Sequence, residues 1–267
     1  MCLAVAIVGM VALAAYELLG LESLLFANAD ENVRYLWSMA ITRALGGTVF
    51  LAILINLGYR VLDPIKAPFW RSVVFCLPAL VVAVNNFPFS QVIRGGAVID
   101  APVWKIALLL AECLCIGFFE ETAFRGVVLL RLVQRKPQSK LWVFWSIVLS
   151  SVIFGLVHLI NLYNSSPIAV LMQIGYSSLI GAMCSVVLIK TANLWMCVIL
   201  HGVFNFGGAV VQYCGRGEIW DTFTVIWTAV LATAVTVYMV MAFLGADIRI
   251  FEHIFGKKSA KSADNEA

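Results

Sequence analysis

Glu120 and Glu121 stand side by side, with Arg125 shortly after, in the run Gly117-Phe118-Phe119-Glu120-Glu121-Thr122-Ala123-Phe124-Arg125-Gly126. Carboxylates set in an apolar stretch can take a proton from water, hold a cation or pair with an arginine. A spacing of four puts Glu121 and Arg125 on one helix face, where they can pair. Glu120 is turned about 100° away, and its own neighbour four residues on is Phe124, which offers no charge. The expectation is that Glu121–Arg125 holds the site together. Glu120, left beside apolar surface, is free for proton transfer.

Two later runs carry the other polar candidates. Phe154-Gly155-Leu156-Val157-His158 sets an imidazole in an apolar stretch, and His201-Gly202-Val203-Phe204-Asn205 puts His201 and Asn205 four apart on one face. A single intramembrane histidine is usually a helix–helix hydrogen bond. Two of them, with an asparagine and a glutamate pair, support a different arrangement. Glu120, assisted by His158, could polarise a water for attack on a peptide carbonyl. His201 and Asn205 could donate to the oxyanion that forms. The same Glu/His/His set could hold zinc, although no HExxH helix brings two ligands and a base together.

The elements that must position these residues are membrane helices. Of the 267 residues, 62% are hydrophobic and 12% charged, and mean hydropathy is +0.96. A soluble chain carries about 25% charged residues. The net charge of +3 is small and resides in loops, which points away from nucleic acid. The 7 cysteines form no paired CxxC arrangement and read as buried thiols rather than a disulfide or zinc framework.

Apolar runs predict an all-α polytopic bundle of about eight transmembrane helices. They run from Met1 to Phe26, Leu36 to Tyr59, Ser72 to Ile93, Val103 to Val133, Leu141 to Leu162, Ile168 to Ile189, Leu194 to Val211 and Trp220 to Leu244. The first has no charged n-region ahead of it and reads as a span rather than a signal peptide. Pro78, Asn85-Asn86 and Pro88 interrupt the third, whose outer end is expected to be broken. Arg43, inside the second, is expected to snorkel or pair with a neighbouring helix. Ile248 to Phe255 could lie along the interface as an amphipathic helix.

Loop arginines and lysines, from Arg60, Lys66 and Arg71 through Arg131 to Lys140 and the C-terminal tail, fall mostly on one side of such a topology. The positive-inside rule then puts both termini in the cytosol. The organisation read from this pattern is N-terminal helices at 1–101, a core at 102–212, and a last helix with a short tail at 213–267. No internal repeat is visible.

The three motifs, in this order, resemble the CPBP family of CAAX prenyl proteases and bacteriocin-processing or immunity proteins, whose pattern is EExxxR, FxxxH and HxxxN. The resemblance covers about Trp104 to Val211 and extends to Phe118-Phe119 and to Ala192-Asn193-Leu194-Trp195. It implies an eight-helix intramembrane endopeptidase in which Glu120 and His158 activate water. It further implies His201 and Asn205 at the oxyanion, Phe154 packed beside the histidine, and no metal or other cofactor. The implied partner is a peptide or protein, prenylated or otherwise lipidated, met among membrane lipids; a bacterial member would sit in the plasma membrane. Two other roles stay open: a non-proteolytic member acting in bacteriocin immunity or envelope maturation, and a proton-coupled transporter with Glu120 as carrier.

Overall fold

The computed structural model describes residues 26, 28–62, 69–163 and 165–256. The predicted first span lies almost wholly outside them. From Glu31 onward the chain is helical: α1 Glu31–Leu57, α2 Phe69–Asn85, α3 Phe89–Arg94, α4 Val103–Glu121, a π-helical segment Thr122–Leu129, and α5 Leu130–Val133. Then come α6 Lys140–Val157, a 3-10 turn His158–Tyr163, α7 Pro167–Thr191, α8 Leu194–Cys214, α9 Thr222–Leu244 and α10 Ile250–Phe255. The protein is an all-α integral membrane protein.

Among the described residues, 5 helices are long and apolar enough to cross a bilayer: α1, α6 with its 3-10 extension, α7, α8 and α9. The predicted third span is cut in two. Its helix runs through Pro78 but stops at Asn85, and α3 restarts after Pro88. Proline has no N–H to give and disfavours helical backbone in the residue before it, so the break falls at Asn86-Phe87. The predicted fourth span is continuous in chain but changes character: α4 passes into the π-helix directly after Glu121.

The chain divides into two units. The first comprises residues 1–53, 77–120 and 198–235; the second comprises 54–76, 121–197 and 236–267. In the first unit a core of Val33, Leu36, Leu108, Leu109, Cys113, Val210 and Val211 joins α1, α4 and α8. Strand β1 (Ala97–Ile99) pairs antiparallel with β2 (Gly215–Gly217), with Val98 opposite Arg216. Glycine is required in β2. A Cβ on Gly215 would come 2.1 Å from the Val98 carbonyl oxygen, and Gly217 has φ +112°. This ribbon closes the end of α8, at positions where the apolar runs predict only loop.

In the second unit α6 packs along α7. Gly155 lies against the Ile174 backbone, where a Cβ would sit 2.7 Å from its carbonyl oxygen. The α10 segment turns Phe251, Ile254 and Phe255 into the unit's interior. The Arg60 amide donates to the Ile254 carbonyl at 2.9 Å, and Tyr59 meets Phe255 edge-on at 5.3 Å. Its apolar face is therefore covered by protein.

Candidate active site

Glycines decide where α4 meets α8 in the first unit. A Cβ on Gly117 would lie 2.7 Å from the Val198 carbonyl oxygen and 3.1 Å from the Gly202 nitrogen. A Cβ on Gly202 would lie 2.7 Å from the Leu114 side chain. Small residues at a crossing let two membrane helices approach backbone to backbone. Glu120 follows Gly117 by one turn and His201 precedes Gly202, so the crossing brings their side chains together. His201 Nε2 lies 3.3 Å from Glu120 Oε2. His201 is buried, while the Glu120 side chain is 18% exposed.

Asn205 stands one turn beyond His201 on α8, half-buried. The helix is anchored just there. Asn86, at the break between α2 and α3, donates its amide to the Phe204 carbonyl at 2.7 Å, and Gly207 and Gly208 make room for the Asn86-Phe87 backbone and the Asn86 side chain. The broken span thus packs against α8 beside the HxxxN motif. Arg43 lies over the Phe119 ring at 5.1 Å, a cation–π contact.

The second unit holds the other half of the motif residues. Glu121 and Arg125 are buried, and Arg125 Nε lies 3.1 Å from Glu121 Oε2. The contact is an ion pair by distance, yet no Arg125 N–H points along a hydrogen-bond line to an acceptor among the described residues. The guanidinium is held instead by charge and by the Phe154 ring, whose centroid is 4.4 Å from Cζ.

Phe154 serves His158 as well. The rings meet edge-to-face at 5.2 Å, and His158 Nδ1 lies 3.0 Å from the Phe154 carbonyl oxygen. A carbonyl only accepts, so Nδ1 carries the proton, and in the neutral ring Nε2 is left as the basic atom. His158 stands where α6 ends and the 3-10 turn begins, half-buried.

The π-helix is the feature that motif spacing did not disclose. Wider i→i+5 turns recur at functional sites, and this one of 8 residues begins directly after the glutamate pair. Ser150 of α6 donates to the Phe124 carbonyl at 3.3 Å within it. Glu112 was also missed: a carboxyl buried in the first unit, accepting from the Cys113 thiol at 3.3 Å. Its signal was a third acidic residue in the apolar Val103–Glu121 run, ahead of the glutamate pair.

The described cysteines are free, and all but Cys115 are buried. Cys184 and Cys197 bring their sulfurs, with a Glu121 oxygen, within 4.8 Å of one another. That spacing could hold a thiophilic ion, but Arg125 already stands on Glu121 and the Cys197 thiol donates to the Cys184 carbonyl at 3.2 Å.

No curated protein and no solved structure matches the chain. A family model does, over residues 102–207, a stretch that begins just before α4 and ends just after Asn205. Residues 102–207 match the model of the Rce1-like family, described as type II CAAX prenyl endopeptidase Rce1-like.

Proposed function

We propose that this protein is an intramembrane endopeptidase of glutamic type that needs no metal, with its catalytic core in residues 102–212. The observation that carries this reading is the Glu120–His201 pair at 3.3 Å, set in an apolar helix crossing. A carboxylate held by one oxygen keeps its other oxygen for a water. Glu120 takes a proton from that water as its oxygen attacks the peptide carbonyl, and His158, with Nε2 basic, shares the proton transfer.

His201 has two roles in turn. Before attack its N–H steadies the Glu120 carboxylate. Once Glu120 is protonated that donor is released, and with the Asn205 amide it meets the oxyanion. Glu121 and Arg125 touch no substrate; they fix the start of the π-helix. The family description and the lipid-embedded setting favour a prenylated or otherwise lipidated peptide as substrate. Its lipid would remain in the bilayer while the peptide reached the helices.

The test is cleavage of a set of prenylated and acylated peptides by purified wild type and by Glu120→Gln. Glutamine keeps the shape and the hydrogen bond to His201 but removes the base. Loss of about 10²-fold or more in kcat places Glu120 at the chemical step. Equal cleavage by both proteins would overturn the glutamate mechanism.

A further inference from the structure

A groove of about 440 Å³ opens on the second unit beyond the π-helix, lined by Val127, Val128, Arg131, Leu132, Gln134 and Arg135. Its lining is graded along the chain. Val127 and Val128 lie in the π-helix; Arg131 and Leu132 lie in α5; Gln134 and Arg135 follow the helix end, ahead of Pro137. Arg131, in α5, and Arg135, two residues past its end, both line the groove. Val127, Val128, Leu132 and Gln134 are half-buried and the two arginines are exposed, so the lining pairs an apolar wall with a dicationic rim.

Arg131 is held in place. Its Nη1 donates to Gln134 Oε1 at 3.0 Å, and the same oxygen accepts from the Tyr59 hydroxyl at 2.6 Å. The guanidinium also hydrogen-bonds Tyr59, and its five N–H groups exceed what these two partners use, so part of the fork can meet an anion. No carboxylate pairs with Arg131 or Arg135 among the described residues. Both side chains are exposed.

From this we infer that the groove binds one anionic phospholipid, its phosphate between Arg131 and Arg135 and an acyl chain along Val127, Val128 and Leu132. Two arginines match a phosphate by paired hydrogen bonds as well as by charge. A zwitterionic headgroup would bring a third cation to a site that already has two, so the charge pattern selects an anionic lipid. Basic pockets at helix ends take such headgroups in membrane proteins generally. The apolar wall separates this ligand from a soluble anion, which would use the arginines alone. Because the wall belongs to the helix that carries Arg125, the bound lipid would also brace the π-segment.

The experiment uses the full chain in neutral detergent. Phosphatidylglycerol, phosphatidylcholine and inorganic phosphate are titrated while the unfolding midpoint and lipid retention in native mass spectrometry are followed. Three variants accompany wild type: Arg131→Gln with Arg135→Gln, Val128→Trp, which fills the groove and keeps its charge, and Lys136→Gln, which removes a neighbouring charge outside the lining. The expected result is one retained phosphatidylglycerol per wild-type chain and a raised midpoint, with neither from phosphatidylcholine or phosphate. Affinity should fall at least 10-fold in the double-arginine and Val128→Trp variants and stay within about twofold in Lys136→Gln. Equal loss in Lys136→Gln would mean diffuse charge attraction and overturn the site. Undiminished binding in Val128→Trp, or a full shift from phosphate alone, would overturn the lipid.

Discussion

The guanidinium of Arg125 fills the space that a side chain at residue 181 would need. A Cβ built on Gly181 would come 2.7 Å from Arg125 Nη2 and 3.3 Å from both the Phe154 ring and the Ser151 Cβ. The glycine of α7 is thus the socket of the arginine on the π-helix, and Phe154 is its lid.

Gly181→Ala should therefore destabilise the protein by about 1–3 kcal/mol, the usual range for overpacking. Arg125→Lys narrows the head group, so the double variant Gly181→Ala/Arg125→Lys should be more stable than the sum of the two single losses. Thermal or denaturant unfolding of the four proteins checks this. Strict additivity would mean that the two residues do not share the space.

Breaking the buried pair should be worse than removing both charges. Glu121→Gln leaves Arg125 without its counter-charge, and a stranded buried charge costs about 3–5 kcal/mol. Glu121→Gln/Arg125→Met should recover much of that stability. An unfolding cycle in which the double variant is the least stable would contradict the pairing.

Gly117→Ala should lower both stability and catalysis. Its new methyl would press on the Val198 carbonyl oxygen, part α4 from α8 and draw Glu120 away from His201. Peptide cleavage should drop at least 10-fold in kcat, with a smaller effect on KM. Unchanged kcat would show that the close crossing does not set the Glu120–His201 contact.

Asp221 gives a pH prediction away from the site. It caps α9, accepting from the Thr224 amide at 2.7 Å, the Ser90 hydroxyl at 3.0 Å and Arg94 at 3.2 Å. The Thr224 contacts come first in holding its carboxyl below the ordinary value of 3.8, and Ser90 and Arg94 add to them. A depressed folded-state value means stability that is present above pH 3.8 and lost as pH falls through the lowered value. Asp221→Asn should be less stable than wild type at neutral pH, and the gap should close below pH 3.8. A gap that stays constant with pH would rule out the carboxylate as its source.

Chelators should leave peptide cleavage unchanged, because the proposed chemistry runs through Glu120 and its histidines. Cys184→Ser/Cys197→Ser, which dismantles the Glu121/Cys184/Cys197 cluster, should likewise retain kcat within a few-fold. Activity lost to a chelator and restored by zinc would reverse the metal-free reading.

Much of this protein is legible in one dimension because a bilayer leaves few choices. Apolar runs of about 20 residues must be helices, since a helix satisfies its own backbone. Four-residue spacing was enough to anticipate the Glu121–Arg125 pair, and two prolines with two asparagines were enough to mark the break after Asn85. These are local properties. The steric and hydrogen-bonding consequences reach only a turn or two along the chain.

The partner of Glu120 was a different kind of question. On its own helix the fourth residue onward is Phe124, and nothing in the spacing names His201, 81 positions later, since 201 − 120 = 81. That contact exists because Gly117 and Gly202 let α4 and α8 meet at the backbone, a fact about two surfaces. The π-helix has the same origin. A segment that can form α or π turns is settled by what it packs on, here Arg125 in the Gly181 socket under Phe154 and Ser150 on the Phe124 carbonyl. Composition and local spacing are enough to make this a membrane protein of helices and to name the residue types that could do chemistry. Which of those residues touch is decided by tertiary packing, because helix crossings are governed by pairwise fit between distant segments.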